Sequence, residues 1–176
     1  AATQLPLAMT LERALAVFLM TEMMCSLSGL ISIRRLRGID RPLVFTNGVF
    51  DVLHRGHATY LAQSRALGAS LVVALNSDAS VRRLGKGPDR PINALDDRLA
   101  LVAALESVSL VTWFEDDTPL DLIVAYRPDV LVKGGDWPVE KIVGAREVLG
   151  WGGKVCSIAF EFERSTTSLL SRIRKP

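Results

Sequence analysis

The sequence predicts an α/β protein whose body is a doubly wound, five-stranded parallel sheet, preceded by an N-terminal helical extension. Three observations predict it. Short apolar runs within 43–47, 71–75, 108–114, 129–132 and 154–160 have the length of strands, and the second is apolar throughout, as expected of a strand covered on both faces. Helical patterns lie between the runs, which calls for crossover connections and parallel pairing. The polar residues of interest gather just after the runs, where an open parallel sheet binds its ligands.

The 176 residues suit one domain with a sizeable core, taken as 42–176, plus the extension 1–41. A hydrophobic fraction of 49% and a net charge of +2 describe a globular protein and exclude a disordered one. The run Arg34-Arg35-Leu36-Arg37 is too short for a nucleic-acid surface and reads as a solvated face, so no nucleic-acid partner is expected. Cys25 and Cys156 form no paired motif, which argues against a disulfide framework or zinc site and for a reducing, cytoplasmic setting. Residues 14–31 are apolar, but Glu12 and Glu22 interrupt the region and Ala14–Met20 is too short to span a bilayer. The segment reads as an amphipathic helix facing the core or a partner, and no membrane role is expected.

In chain order, Thr10 is placed as the N-cap of a helix reaching about Ser26, Ser28-Gly29 breaks it, and a second short helix covers Leu30–Arg37. Gly38–Pro42 turns into strand one, 43–47. Helix one is expected over His57–Leu67, stopped by Gly68. Strand two, Leu71–Leu75, ends at Asn76-Ser77-Asp78, and Ser80–Leu84 makes a helical turn. Gly85–Asn93, rich in Gly, Pro and charge, reads as a loop. Asn93 is placed as the cap of the next helix, whose apolar stripe is Leu95, Leu99, Val102 and Leu105. Val108–Phe114 follows as strand three. Thr118 as N-cap and Pro119 at the first position open a helix that Pro128 ends. Asp129–Val132 is strand four, closed by Lys133-Gly134-Gly135-Asp136-Trp137. A helix from Pro138 to Gly150, strand five at Lys154–Phe160, and a helix from Ser165 to Arg174 complete a Rossmann-like order.

The chain has two histidines, and both lie in the stretch Thr46–His57 after strand one. Gly48 lets backbone approach a ligand, and a helix N-terminus favours an anion. Two imidazoles three residues apart at such a place can face the same way and donate to phosphate oxygens. A metal site is the rival reading, but it needs further ligands, and none is assigned. The bland reading is two histidines that cap or pack.

Gly48-x-Phe50-Asp51-x-x-His54-x-Gly56-His57 resembles the signature of the HxGH nucleotidyltransferase superfamily, in its cytidylyltransferase-like branch. The resemblance continues over residues 42–174 through Asn76-Ser77-Asp78, Lys86-Gly87, Arg90-Pro91, Lys133-Gly134-Gly135-Asp136 and Ser165-Thr166-Thr167. It implies transfer of AMP from ATP, with Mg²⁺, to D-glycero-β-D-manno-heptose 1-phosphate for surface-glycan synthesis, by in-line attack on the α-phosphorus without a covalent intermediate. A cytoplasmic homodimer is implied as well.

By the same resemblance, His54, His57 and Lys86 are the catalytic candidates. Thr46, Asn47, Gly48, Val49, Phe50, Gly56, His57, Lys133, Gly135, Asp136, Ser165, Thr166 and Thr167 would line the nucleotide. Asn76, Asp78, Lys86 and Arg98 would meet the acceptor. Asp51 is expected to hold the loop, Asp78 to bind hydroxyls or cap a turn, and Arg98 to touch phosphate or form a helix-surface ion pair. Trp137 stands where relatives often carry tyrosine, Arg164 departs from the expected pattern, and the N-terminal helix matches nothing in it. Alternatives are an alcohol-phosphate cytidylyltransferase, such as one for glycerol 3-phosphate, and a non-catalytic nucleotide-binding module.

Overall fold

The computed structural model describes residues 39–85 and 87–162. The helices expected before Gly38, Lys86, Arg164, and the Ser165–Thr167 helix start lie outside the described residues. Five strands form one sheet: β1 (Leu43–Gly48), β2 (Ser70–Asn76), β3 (Leu110–Phe114), β4 (Val130–Gly134) and β5 (Lys154–Ile158). Between them run α1 (Arg55–Arg65), α2 (Asp78–Arg83), α3 (Leu95–Ala103), α4 (Leu120–Tyr126), a 3₁₀ turn (Val139–Lys141) and α5 (Ala145–Gly150). The order is β3-β2-β1-β4-β5, and every pairing is parallel. The chain therefore starts at the centre, builds outward through β2 and β3, and returns across β1 to build β4 and β5. The reversal lies between β1 and β4, the place where such sheets bind ligands.

Alternation of side chains along each strand divides the core between two faces. Val44, Leu71, Val73, Leu75, Val111, Val130 and Val132 pack with Tyr60 and Leu61 of α1 and Leu99 and Val102 of α3. Phe45, Val72, Ala74, Leu110, Phe114 and Leu131 pack on the other side with Ile123 and Tyr126 of α4 and Ala145 and Val148 of α5. All seven residues of β2 are buried, which is why its sequence is an apolar run and not an alternation. Asp129 joins the two halves at the base of the sheet: its Oδ2 accepts from the Leu43 amide at 2.6 Å and from Arg41 Nε at 2.9 Å, and its own amide donates to the Leu43 carbonyl. Among the described residues no helix is long and apolar enough to cross a membrane.

Boundaries moved where caps did. Helix α1 begins at Arg55, two residues earlier than expected, because His54 is its N-cap. Asn93 does not cap α3; Ala94 holds that position while Asn93 bonds to Asp51. Pro119, not Thr118, is the N-cap of α4, and Arg127 ends that helix in a left-handed conformation before Pro128 can. The helix expected over 138–150 is two pieces, because Gly144 takes φ 84° between them. Strand β5 stops at Ile158, β3 starts at Leu110, and β4 runs from Val130 through Gly134.

Candidate active site

Beyond the end of β1 the chain makes a tight turn through Phe50, a non-glycine residue at φ 49°. The turn delivers His54 to the N-cap of α1, where its Nδ1 accepts from the His57 amide at 3.4 Å and its carbonyl accepts from His57 and Ala58. The two imidazoles lie face to face, with ring centroids 3.8 Å apart and planes 18° from parallel. The Phe50 ring meets His57 edge-on at 5.2 Å. A Cβ at Gly48 would lie 2.9 Å from the Phe50 ring, and one at Gly56 would lie 3.1 Å from the His54 ring, so both glycines make room for the rings of this turn. Burial, followed by the neighbouring His54, lowers the pKa of His57 to about 4, against a smaller upward pull from the Val52 backbone.

Beneath the turn, Asp51 is buried and accepts from the amides of Ile92 and Asn93 at 2.9 Å while facing Arg90 Nε at 2.5 Å. The Asn93 side chain also donates to the Asp51 carbonyl. The loop-holding role expected of Asp51 is thus visible in its partners. Arg98, expected at a phosphate or in a helix-surface ion pair, does form an ion pair, with Asp78, but beneath the surface. It is fully buried and donates to the carbonyls of Val49 (2.8 Å), Asn76 (2.9 Å) and Asn93 (3.1 Å) and to Asp78 Oδ1 (2.6 Å). Its place on the inner face of α3, under two strand ends, explains this. Asp78 does not cap α2; Ser77 does, its hydroxyl accepting from Ser80 N. Asn76 is buried at the end of β2 and donates to the Ser80 hydroxyl.

On the other side of β1, Lys133 Nζ approaches Asn47 Oδ1 at 3.4 Å. Gly135 takes φ 112°, and its carbonyl accepts from the Ser157 hydroxyl. Asp136 is exposed at the mouth of the crossover. The Phe160 ring fills the space a Gly134 side chain would need and lies 5.5 Å from the ring of Tyr60. Thr46 is buried beneath, its hydroxyl 2.6 Å from the Tyr60 hydroxyl, whose pKa burial pushes up to about 12. The segment after β5 then crosses the start of α1: Gln63 donates to Glu161, and the Arg55 guanidinium lies 3.9 Å over the Phe162 ring. Phe162 therefore brings the chain beside Gly56.

A cavity of about 310 Å³ opens beside the turn. Asn47, Gly48 and Val49 form one wall and Asn76 another, while Asp117–Pro119 and Lys141–Val143 close the side that belongs to α4 and the 3₁₀ turn. Trp137 and Lys133 complete the rim. Trp137 is fixed there by its amide donating to Ser157 Oγ and its indole N–H donating to the Gly134 carbonyl. Sequence reading missed Asp117, Thr118 and Lys141, because each sits in a connection whose course depends on the helices around it.

Together, the structure brings Thr46, Asn47 and Gly48 at the end of β1, Val49, Phe50 and His54 in the turn, and Gly56 and His57 at the start of α1 into one place, with Lys133, Gly135 and Asp136 across β1 and Asn76 and Asp78 on the β2 side. The family model described as cytidylyltransferase-like matches residues 45–168, the region that contains the histidine turn and all five strands but the first residues of β1. The chain belongs to the cytidylyltransferase-like family. Among its relatives in that family is the D-beta-D-heptose 1-phosphate adenylyltransferase of Bordetella bronchiseptica, 59% identical over 137 residues, spanning 78% of this chain and 85% of the relative. The bifunctional protein HldE of Hahella chejuensis is 54% identical over 139 residues, which cover 79% of this chain but only 29% of that protein. A crystal structure of a lipopolysaccharide core biosynthesis protein from Thermoplasma volcanium matches with a TM-score of 0.56 and 30% identity, covering 69% of this chain and 98% of that one.

Proposed function

We propose that this cytidylyltransferase-like protein is a heptose 1-phosphate adenylyltransferase, forming ADP-heptose and pyrophosphate from ATP and the sugar phosphate. The observation that carries the chemistry is the stacked histidine pair at the start of α1, at the switch point of the sheet. Backbone N–H groups at a helix start and ring N–H groups stabilise charge that grows on phosphate oxygens during substitution. The substrate assignment draws on the name of the Bordetella relative and the extent of identity to it.

The site has the two sides that in-line substitution needs, with attacking and leaving oxygens on opposite sides of phosphorus. The triphosphate is assigned to the α1 side, over Gly48–Phe50, Gly56, His54 and His57, with Lys133, Gly135 and Asp136 toward the adenosine. Ser165, Thr166 and Thr167 are assigned to the leaving phosphates, in keeping with the position of Phe162 beside Gly56. The acceptor is assigned to the cavity on the α4 side. Its Trp137 offers an apolar plate for a sugar ring, and Lys141 offers charge for a phosphate. Asn76, Asp78 and Lys86 complete that side in this reading. Arg98 supports it from below.

Magnesium enters with ATP as part of the substrate. Among the described residues no group of three or more carboxylate, histidine or cysteine side chains is arranged to hold a metal ion. A cytoplasmic homodimer belongs to the same proposal, and sedimentation equilibrium checks the dimer.

The deciding experiment measures pyrophosphate release with ATP or CTP, Mg²⁺, and either heptose 1-phosphate or glycerol 3-phosphate. Turnover with ATP and the heptose phosphate is expected. Turnover with CTP and glycerol 3-phosphate alone would replace the assignment. ATP binding without turnover on any acceptor would make the protein a nucleotide-binding module.

A further inference from the structure

The residues on each side of Phe50 are anchored through different buried charges. Before it, the Val49 carbonyl accepts from Arg98 Nη1 at 2.8 Å. After it, the Asp51 carboxylate accepts from Ile92 and Asn93 and pairs with Arg90. Neither Arg98 nor Asp51 reaches solvent, so neither touches substrate in this arrangement. The two grips are themselves joined at Asn93, whose carbonyl accepts from Arg98 Nε and whose amide donates to Asp51. Between them Phe50 holds φ 49°, a conformation that costs a side-chain-bearing residue energy and persists only where the surroundings over-determine it. The benefit is visible one step on: the Phe50 ring stands edge-on to His57, which in turn stacks on His54.

We propose that Arg98 and Asp51 are positioning residues of the histidine turn, clamping Phe50 in its left-handed conformation and thereby setting both imidazole rings. Arg98 does this through backbone carbonyls, which a lysine can replace only in part because it has one nitrogen in place of three. The assignment of reaction rests on the proposed adenylyl transfer, but the clamp itself can be read without it.

The test uses the full chain with Arg98→Met, Arg98→Lys and the near-isosteric Asp51→Asn. Val148→Ala, in the core under α5 and remote from the turn, serves as a control for lost stability. Misplaced catalytic groups cost rate far more than ground-state binding, so kcat should fall about 30-fold or more while the ATP dissociation constant moves less than about fivefold. Arg98→Lys should recover part of that loss. NMR titration of the two imidazoles supplies a reading that simple destabilisation would not move. With Phe50 released, water reaches His57 and its midpoint should rise by about one unit or more toward the ordinary histidine value, the neighbouring His54 being unchanged in sequence. Val148→Ala should lower the melting temperature and leave kcat and both midpoints in place. An unchanged His57 midpoint, with kcat no lower than in Val148→Ala, would overturn the clamp. If the wild-type protein turns over no heptose phosphate, the substrate assignment fails, and the NMR titrations still decide the clamp. Should Arg98→Met not fold, Asp51→Asn and Arg98→Lys carry the same readings.

Discussion

Burial holds His57 at a pKa of about 4, so at neutral pH its ring is uncharged and carries one N–H. That state allows two rings to lie 3.8 Å apart, where a pair of cations would repel. It also fixes a sign. Between pH 6.5 and 4 the unfolded histidine binds a proton that the folded one refuses, so stability is complete above 6.5 and falls as pH falls through that window. Thermal unfolding followed from pH 7 to 4 should show this loss, and His57→Gln should flatten it. For catalysis, His54→Ala and His57→Ala should each reduce kcat by about a hundredfold, the scale of removing one preorganised donor, with unaltered circular dichroism. Losses under about threefold in both would remove the pair from the chemistry. The pair was legible because histidine is rare here and its spacing has few other uses. The burial of Arg98 was not: the residue was named as a site candidate, but its acceptors at Val49, Asn76 and Asn93 come from three separate segments.

Elements buried on both faces announced themselves. The strands β1 and β2 are apolar runs, and each was placed to within one or two residues. Ends set by tertiary contacts did not. Asn93 looks like a helix cap, yet its side chain is drawn away to donate to the Asp51 carbonyl. The expected 138–150 helix breaks at Gly144, where a side chain would strike Ile123 of α4, a contact no local pattern contains. The start of α1 is equally constrained, since Gly56 lies against the His54 ring on one side and the Phe162 carbonyl on the other. Gly56→Ala should therefore push both apart. The expected result is a kcat lower by about tenfold or more with a smaller change in melting temperature, measured on the same preparation, because helix propensity itself favours alanine. Equal kcat in the variant would mean the His54 ring has room to yield.

Over the whole molecule, β1 is a boundary. The histidine turn stands on the side of α1 and α3, and the cavity stands on the side of α4 and the 3₁₀ turn. Fold class and the strand ends that carry the site could be read from alternation of strands and helices, whereas the cavity could not, because its walls meet only after the sheet is assembled. If Trp137 forms the plate for the acceptor, Trp137→Ala should raise the acceptor KM about tenfold and leave the ATP KM nearly unchanged in initial-rate measurements. A parallel rise in both would move the tryptophan to the nucleotide side. The cavity walls at Asp117–Pro119 and Lys141–Val143 belong to connections other than the one that holds His54 and His57. Those connections can therefore vary over generations, by substitution or change of length, without disturbing the reactive centre. A lineage can keep one inherited way of activating a nucleotide while it exchanges the molecule that receives it.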